Sequence, residues 1–203
     1  MALLFWDVIF ARLPGVYSDQ LGGFPGKLQD MPHDFFRHEF YSRRTKMIEK
    51  RISDLLACPS ISKEINDAYV KHKGKPCRPI WNWDACSIVD VCLGVESISR
   101  EQLFLIMKRL LTDFGKNRSG LPDLFLYSPK PSLVEVKSGS DSLRENQVEW
   151  LQFLLHTVGL SVEVLLVNHT DRKRRLVQDA LAAGSCETIL SVDDNSKIRS
   201  AFH

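Results

Sequence analysis

The chain has 203 residues, a formal net charge of +2, 44% hydrophobic residues and 26% charged residues. This length can bury one sizeable core, and the composition is ordinary for a soluble globular protein. The small net charge permits a nucleic-acid partner without indicating one, so any such contact has to come from local basic clusters.

The cysteines and the apolar segments exclude several classes of protein. Five cysteines are an odd number, and no CxxC pair occurs among them. They argue against a disulfide framework and a zinc site, and they favour reduced thiols in a cytosolic or nuclear protein. No segment is long and apolar enough to span a membrane. The opening MALLFWDVIFARLPG carries Asp7 within its apolar run and lacks a basic leader, so we expect no signal peptide.

The first half of the chain is predicted to be mainly helical. Apolar spacing predicts a buried N-terminal helix, a helix that Ser42 caps, and a helix that Ser99 caps. We expect Trp81 and Trp83 to lie in the core, although aromatic side chains can also stack on bases. The predicted helices are Ala2–Arg12, Ser42–Leu56, Ile61–Lys73, Asp84–Cys92 (ended by Gly94) and Arg100–Phe114, and residues 13–40 are expected to be irregular.

The stretch GLPDLFLYSPKPSLVEVK carries the main functional signal. Its apolar runs Leu124–Tyr127 and Leu133–Val136 are rich in β-forming residues, and the proline-containing turn between them cannot donate to a ladder. We therefore predict a β-hairpin. Asp123 stands at the start of the first strand, and Glu135 and Lys137 share one face of the second.

If the two strands pair, Asp123 and Glu135 come close enough to bind one divalent cation, Mg²⁺ or Mn²⁺. Such an ion, helped by the Val136 carbonyl, would polarise a phosphate and acidify a bound water. Lys137 could orient that water or offset the developing charge. The pattern PD…ExK resembles the nuclease superfamily that is named after it. The alternative is a surface hairpin whose Glu and Lys form a solvated ion pair.

The second half is predicted to be a small α/β sheet. A turn over Ser138–Ser142 is expected to cap a helix from Leu143 to Thr157, with Gln147 and Trp150 on its flanking faces. An apolar strand over Val162–Val167 should follow and lie parallel to the strand of Glu135, through a right-handed crossover. A last helix over Asp171–Ala182, an edge strand over Glu187–Val192 and a loose tail are predicted at the end.

These elements predict an α/β fold with a restriction-endonuclease-like mixed sheet flanked by helices. We expect a helical part over 1–115, a catalytic core over 116–170, and a C-terminal helix and tail over 171–203. Basic side chains are expected either to form solvated surface or to hold DNA phosphates. The candidates are Arg43 and Arg44 on a helix, Lys116 and Arg118 in a flexible loop over Gly115–Gly120, and Arg144 in a helix's first turn.

The order of several blocks is more specific than the charged pattern alone. LLFWDVIF, FYSRR, GLPDLFLY, LVEVKSGSDSL, NQVEWL and VEVLLV follow one another between Leu3 and Val167. This order is similar to the C-terminal half of the Fanconi-anaemia-associated nucleases, which carry a virus-type replication-repair (VRR) nuclease domain. The resemblance implies a nuclear, structure-selective DNA endonuclease and 5′-to-3′ exonuclease that uses Mg²⁺ or Mn²⁺. The DNA targets that the resemblance implies are 5′ flaps and DNA around interstrand crosslinks.

The resemblance also implies roles for individual residues. Asp123 and Glu135 match the metal carboxylates, Lys137 the catalytic lysine, and Gln147 a glutamine on the helix behind the site. A further metal glutamate of the family lies on a helix before the LLFWD block. We expect this chain to lack it, the alternative being replacement by Asp7 or Glu39.

Two other departures from the family pattern concern the flanking regions. Ser142 stands where the family often has a basic residue, so Arg144 would serve instead. We expect this chain to lack the domains that recognise DNA shape and bind partner proteins in the family, so we do not expect full activity from it. Two other functions remain open. One is a Holliday-junction resolvase or restriction-type endonuclease that shares only the core, and the other is a DNA-binding module with a vestigial core.

Overall fold

The computed structural model describes residues 1–17, 31–85, 87–138 and 141–167. The chain divides into two compact units, Met1–Arg118 and Ser119–His203. The predicted division into the three parts 1–115, 116–170 and 171–203 stays a prediction. The helix predicted over Asp171–Ala182 and the strand over Glu187–Val192 lie outside the described residues.

The first unit is helical, as the apolar spacing predicts, but several boundaries differ. Its helices are α1 (Trp6–Ile9), α2 (Glu39–Ala57), α3 (Ile61–His72), α4 (Ile88–Glu96), α5 (Arg100–Thr112) and α6 (Phe114–Asn117). The first helix is a single turn rather than a helix from Ala2 to Arg12. Ser99 caps α5 as predicted, with its hydroxyl and Gln102 forming a reciprocal capping box.

Helix α2 begins before Ser42, so the predicted cap is wrong. Phe40 is 1% exposed and meets Phe35 edge to face at 5.0 Å between ring centroids. That packing favours helical backbone from Glu39 onward. The Ser42 hydroxyl donates instead to the Glu39 carbonyl at 3.0 Å, within the first turn.

Two further predictions fail for local reasons. Gly94 does not end α4 but lies buried within it, since the helix begins after its N-cap Ser87 and runs to Glu96. The segment predicted as a flexible loop begins with helix α6. There the Asp113 carboxylate accepts a hydrogen bond from the Lys116 backbone N–H at 2.9 Å.

An apolar core holds the first unit together. Trp81 and Trp83 are partly buried and pack against it, as expected. The Trp83 indole N–H donates to the Lys75 carbonyl at 2.9 Å. The largest fully buried apolar side chains of the unit are Phe5, Phe35, Phe40, Ile9, Ile48, Leu55, Ile65 and Leu111.

The second unit contains a three-stranded sheet in the order β1 (Leu124–Leu126), β2 (Ser132–Ser138) and β3 (Ser161–Val167). Strands β1 and β2 are antiparallel, which confirms the hairpin, and β3 runs parallel to β2 as predicted. Leu124, Val134 and Leu165 form a small apolar cluster on one face of the sheet. Glu135 and Lys137 therefore project from the other face.

The helix after the hairpin begins two residues later than predicted. Helix α7 spans Glu145–Gln152 and continues as a π-helical turn over Phe153–Val158. Arg144 is the extended N-cap, so it precedes the first turn rather than lying in it. Trp150 is buried at 1% exposure rather than on a flanking face. Gly159 ends the segment with φ of +74°.

Across the described ranges 1–17, 31–85, 87–138 and 141–167, no helix combines the length and the apolar character that a membrane crossing requires.

Candidate active site

The register of the hairpin places the two predicted carboxylates opposite each other. Leu124 pairs with Val134, so Asp123 and Glu135 occupy the next opposed positions. Opposed residues of an antiparallel pair project from the same face. The Asp123 carboxylate accepts a hydrogen bond from the Val136 backbone N–H at 2.9 Å, which fixes Asp123 against β2.

Glu135 is an almost completely buried acid, at 1% exposure. Its Oε1 accepts hydrogen bonds from the Lys137 ammonium at 2.9 Å and from the Gln147 side-chain amide. Within the described part of the chain, its Oε2 is buried without a hydrogen-bond partner. Burial raises the pKa of Glu135; the Lys137 hydrogen bond opposes this, and the charge of Asp123 raises it further.

Gln147 links three parts of the site through one amide group. Its Oε1 accepts hydrogen bonds from the Lys137 ammonium and from the Arg144 backbone N–H, both at 2.9 Å. Its Nε2 donates to Glu135. Because the oxygen faces two donors and the nitrogen faces a carboxylate, the amide has one favourable orientation. Gln147 therefore fastens the start of α7 to strand β2.

The donor set fits a hard divalent cation. A buried carboxylate oxygen without a donor lies on the face that also carries the Asp123 carboxylate. Mg²⁺ is commonly held by one or two carboxylates, with waters and substrate phosphates completing its shell. Among the described residues, no group of three or more His, Cys, Asp or Glu side chains is placed to hold a metal. The Val136 carbonyl stays a predicted ligand.

A glycine and an asparagine that the sequence analysis missed position this site. Gly120 has φ of +92°, and a Cβ atom there would lie 2.6 Å from the Asn146 carbonyl oxygen. The Asn146 side-chain amide donates to the Ser119 hydroxyl at 3.2 Å. The segment that leads into Asp123 is thus packed directly against the first turn of α7. The glycine before Leu-Pro-Asp is the sequence signal for this close approach.

The DNA-binding role predicted for Arg44 is wrong. Arg44 is 1% exposed, and its guanidinium forms a two-point ion pair with Asp34 at 2.7 and 3.2 Å. Its Nε donates to the Val8 carbonyl at 3.1 Å. Arg44 therefore stabilises the interior of the first unit. The sequence signal for this burial is the position of Arg44 between Phe40 and Ile48, each four residues away. Positions four apart share a helix face, so Arg44 lies on the apolar face of the helix.

The other predicted DNA-binding residues have accessible side chains. Arg43 is partly exposed, although its guanidinium donates to Asp34 at 3.3 Å and to the Pro14 carbonyl. Lys116 and Arg118 are exposed in the first unit, and the Arg118 guanidinium lies 5.3 Å from the Phe36 ring centroid. Arg144 is exposed in the second unit. Their contact with DNA stays a prediction.

The two suggested replacements for the family's further metal glutamate have partners of their own. Asp7 lies 3.3 Å from the Lys71 ammonium, and Glu39 lies 3.5 Å from the His38 ring. Both belong to the first unit. The replacement therefore stays a prediction.

Comparison with known families decides what kind of domain carries this geometry. The VRR-NUC domain family matches residues 59–169, which is more than half of the chain. The chain belongs to the VRR-NUC domain family. This confirms the resemblance drawn from the block order, and it confirms the restriction-endonuclease-like fold.

Curated relatives of this VRR-NUC chain are Fanconi-associated nucleases. The homologue from Oryza sativa subsp. japonica is 32% identical over 180 residues, which cover 85% of this chain and 18% of the relative. Fanconi-associated nuclease 1 of Danio rerio is 33% identical over 181 residues, covering 83% of this chain and 17% of the relative. The chain thus spans less than a fifth of the length of these relatives.

Solved structures show the same fold in this family. A crystal structure of paFAN1 bound to a one-nucleotide 5′-flap DNA with a gap superposes with a TM-score of 0.71 and 29% identity. The match covers 84% of this chain and 30% of that one. A second paFAN1 structure, bound to a two-nucleotide 5′-flap DNA, gives a TM-score of 0.69 and 27% identity.

Proposed function

We propose that this VRR-NUC domain is the catalytic part of a divalent-metal-dependent, structure-selective DNA nuclease that hydrolyses phosphodiester bonds at 5′ flaps. The observation that carries the proposal is the joint placement of Asp123, Glu135 and Lys137 on one face of the hairpin. The flap-bound paFAN1 structures support the choice of DNA substrate.

Asp123 and Glu135 would hold Mg²⁺ or Mn²⁺. Such an ion supplies Lewis-acid polarisation of the scissile phosphate and a more acidic water. The Val136 N–H keeps the Asp123 carboxylate turned toward β2, so this acid is preorganised rather than free to rotate. Burial of Glu135 leaves one of its carboxylate oxygens unable to reach bulk water, which favours capture of a cation.

Lys137 is the cation that the protein itself supplies. Its ammonium group is held by Glu135 and Gln147, each at 2.9 Å, so two of its three donors have fixed partners. The remaining donor can bind a phosphate oxygen or orient a water molecule. We infer that Lys137 stabilises negative charge as it builds on the phosphate during hydrolysis.

The finer assignments extend the same proposal. Cleavage would leave a 5′-phosphate and a 3′-hydroxyl and include 5′-to-3′ exonuclease action. Repair of interstrand crosslinks in the nucleus would be the setting, with repair proteins binding regions beyond this chain. The curated relatives are named Fanconi-associated nucleases, which supports the nuclease activity, and the setting is carried over from the family resemblance.

Cleavage of labelled DNA tests the proposal. The chain, in excess over a labelled 5′ flap, should cut it with Mn²⁺ and not with EDTA, and Asp123→Asn should lose at least about 100-fold in rate. Glu163→Gln is the matched control, because Glu163 pairs with Val134 on the opposite face of the same sheet. Equal cleavage by Asp123→Asn and the parent chain contradicts the proposal.

A substrate panel separates the flap nuclease from the related endonucleases. We expect the flap to be cut faster than a four-way junction or a linear duplex. A strong preference for the four-way junction would indicate a junction resolvase instead.

A further inference from the structure

A group of lysines surrounds the end of α3 in the first unit. Lys71, Lys73 and Lys75 are exposed, whereas His72 between them is buried at 3% exposure. We propose that these three lysines, the α3 lysine patch, bind the phosphodiester backbone of DNA independently of base sequence. This inference rests on the proposed function, because that function supplies DNA as the ligand.

Contacts around His72 bring two of the lysines to one place. The Lys75 ammonium lies 3.1 Å from His72 Nδ1. The Lys71 ammonium lies 3.3 Å from the Asp7 carboxylate, which is itself 3.8 Å from His72 Nε2. The Lys75 ammonium therefore contacts one nitrogen of the imidazole ring, and the Lys71 ammonium is linked to the other nitrogen through Asp7.

The third lysine extends the patch over an aromatic surface. The Lys73 ammonium lies 5.4 Å from the centroid of the Tyr69 ring, which in turn lies 5.6 Å from the Trp83 ring. The Trp83 indole N–H donates to the carbonyl of Lys75 at 2.9 Å. The backbone that carries the lysines is thus fixed by aromatic packing and a hydrogen bond, while their long side chains reach into solvent.

The patch keeps an excess of positive charge. The three ammonium groups carry three positive charges against the single carboxylate of Asp7, which lies beside Lys71 at 3.3 Å, and His72 adds no charge when it is neutral. Its ring stacks on Trp6 at 4.4 Å between centroids, and burial together with the charge of Lys75 lowers the pKa of His72. Crowded like charges on an exposed surface are relieved by an anion that spans them, and a DNA backbone provides phosphates at regular spacing.

A purely structural role would satisfy only part of this arrangement. Cations near the C-terminus of a helix interact favourably with its dipole, which accounts for Lys71 and Lys73. Lys75 lies beyond the helix end, where its ammonium can donate to Nδ1 of neutral His72, so this contact uses one of its three donors. The two roles differ in what they change, because loss of a dipole interaction lowers helix stability and loss of a phosphate contact weakens DNA binding.

Fluorescence anisotropy with a labelled linear duplex in EDTA tests the patch without any cleavage. The triple variant Lys71→Ala/Lys73→Ala/Lys75→Ala should bind about tenfold more weakly at about 0.1 M salt. Its plot of log Kd against log salt should also lose a slope of about 2 to 3. The milder pair Lys73→Gln/Lys75→Gln should show a smaller loss, with an unchanged unfolding transition.

The matched control removes three exposed lysines that are spread over α2, α3 and α5. Lys50→Ala/Lys63→Ala/Lys108→Ala changes the net charge equally and should leave the Kd within about twofold. An equal loss in both triple variants would show a net-charge effect and overturn the proposal. Unchanged binding in the patch variants would overturn it as well.

The binding test of the α3 lysine patch can fail or succeed independently of the cleavage test of the proposed nuclease. Weakened duplex binding by the patch variants, together with no Mn²⁺-dependent cleavage by the parent chain, would retain the patch and reject the nuclease. Cleavage by the parent chain, with unaltered binding in the patch variants, would reject the patch and retain the nuclease.

Discussion

At the scale of single residues, Glu135 is a buried acid whose surroundings satisfy only one of its two carboxylate oxygens. Lys137 and Gln147 both bind Oε1, and Oε2 is buried without a partner in the described part of the chain. An unsatisfied buried oxygen costs folding free energy. The fold retains this cost at a position where a cation would remove it, which is typical of a functional site.

Gln147 should matter to stability more than its partly exposed position suggests. Gln147→Ala removes the amide nitrogen that donates to buried Glu135. It also removes the amide oxygen that accepts from the Lys137 ammonium and from the Arg144 backbone N–H. We expect the free energy of unfolding in urea to fall by about 1 to 2 kcal/mol. Gln152→Ala, at an exposed position of the same helix, should change it by less than about 0.5 kcal/mol. Equal effects of the two substitutions would contradict this role.

The sequence predicted the site residues more easily than it predicted their surroundings. The spacing of Asp123, Glu135 and Lys137 depends only on strand alternation and one hairpin register, both of which are local. The burial of Arg44 depends on Asp34, ten residues earlier in a stretch without a regular pattern. A basic side chain on a basic helix indicates solvent or DNA, and only the tertiary partner shows otherwise.

At the scale of elements, the close approach of Gly120 to α7 positions the start of the hairpin. The backbone of Gly120 takes a left-handed conformation, and no space exists for a side chain against the Asn146 backbone. Asp123 follows three residues later. The contact therefore determines where the first carboxylate stands relative to α7.

Gly120→Ala should be more destabilising than a glycine substitution at an open turn. The left-handed backbone alone costs roughly 1 to 2 kcal/mol, and the clash with Asn146 adds to it. Gly74→Ala provides the comparison, because Gly74 has φ of +79° and a Cβ atom there would meet nothing within 4 Å. Free energies of unfolding from urea titrations should rank the two variants in this order. A smaller loss for Gly120→Ala would show that α7 moves away at little cost.

Element types were more predictable than element boundaries. Helical spacing, the Ser99 capping box and the apolar run of β3 are local signals, and the structure confirms each of them. Ser42 is a good N-cap residue by type, but burial of Phe40 favours an earlier start. Helix α7 starts late because the Gln147 side chain accepts from the Arg144 N–H, a contact that apolar periodicity does not encode.

At the scale of the whole molecule, a buried histidine makes folding sensitive to pH. Burial and the charges of Lys75 and Lys71 lower the pKa of His72, and Asp7 opposes them. The folded state therefore disfavours the protonated ring. Below the ordinary pKa of about 6.5, the unfolded chain binds more protons, so stability should be full above that pH and fall as the pH drops below it.

Thermal unfolding between about pH 7.5 and pH 5.5 checks this linkage. The parent chain should lose melting temperature as the pH falls through about 6.5, and His72→Gln should lose less. His156→Gln, at an exposed position, should follow the parent chain. Parallel curves for the parent and His72→Gln would contradict the assignment.

The central claim is that two carboxylates on one hairpin share a divalent cation. Isothermal titration with Mn²⁺ at neutral pH tests it most directly, because it requires neither DNA nor cleavage. We predict a saturable binding isotherm for the parent chain and for Glu163→Gln. Asp123→Asn and Glu135→Gln should each weaken binding by at least about tenfold. An isotherm that is the same in all four proteins would contradict the claim.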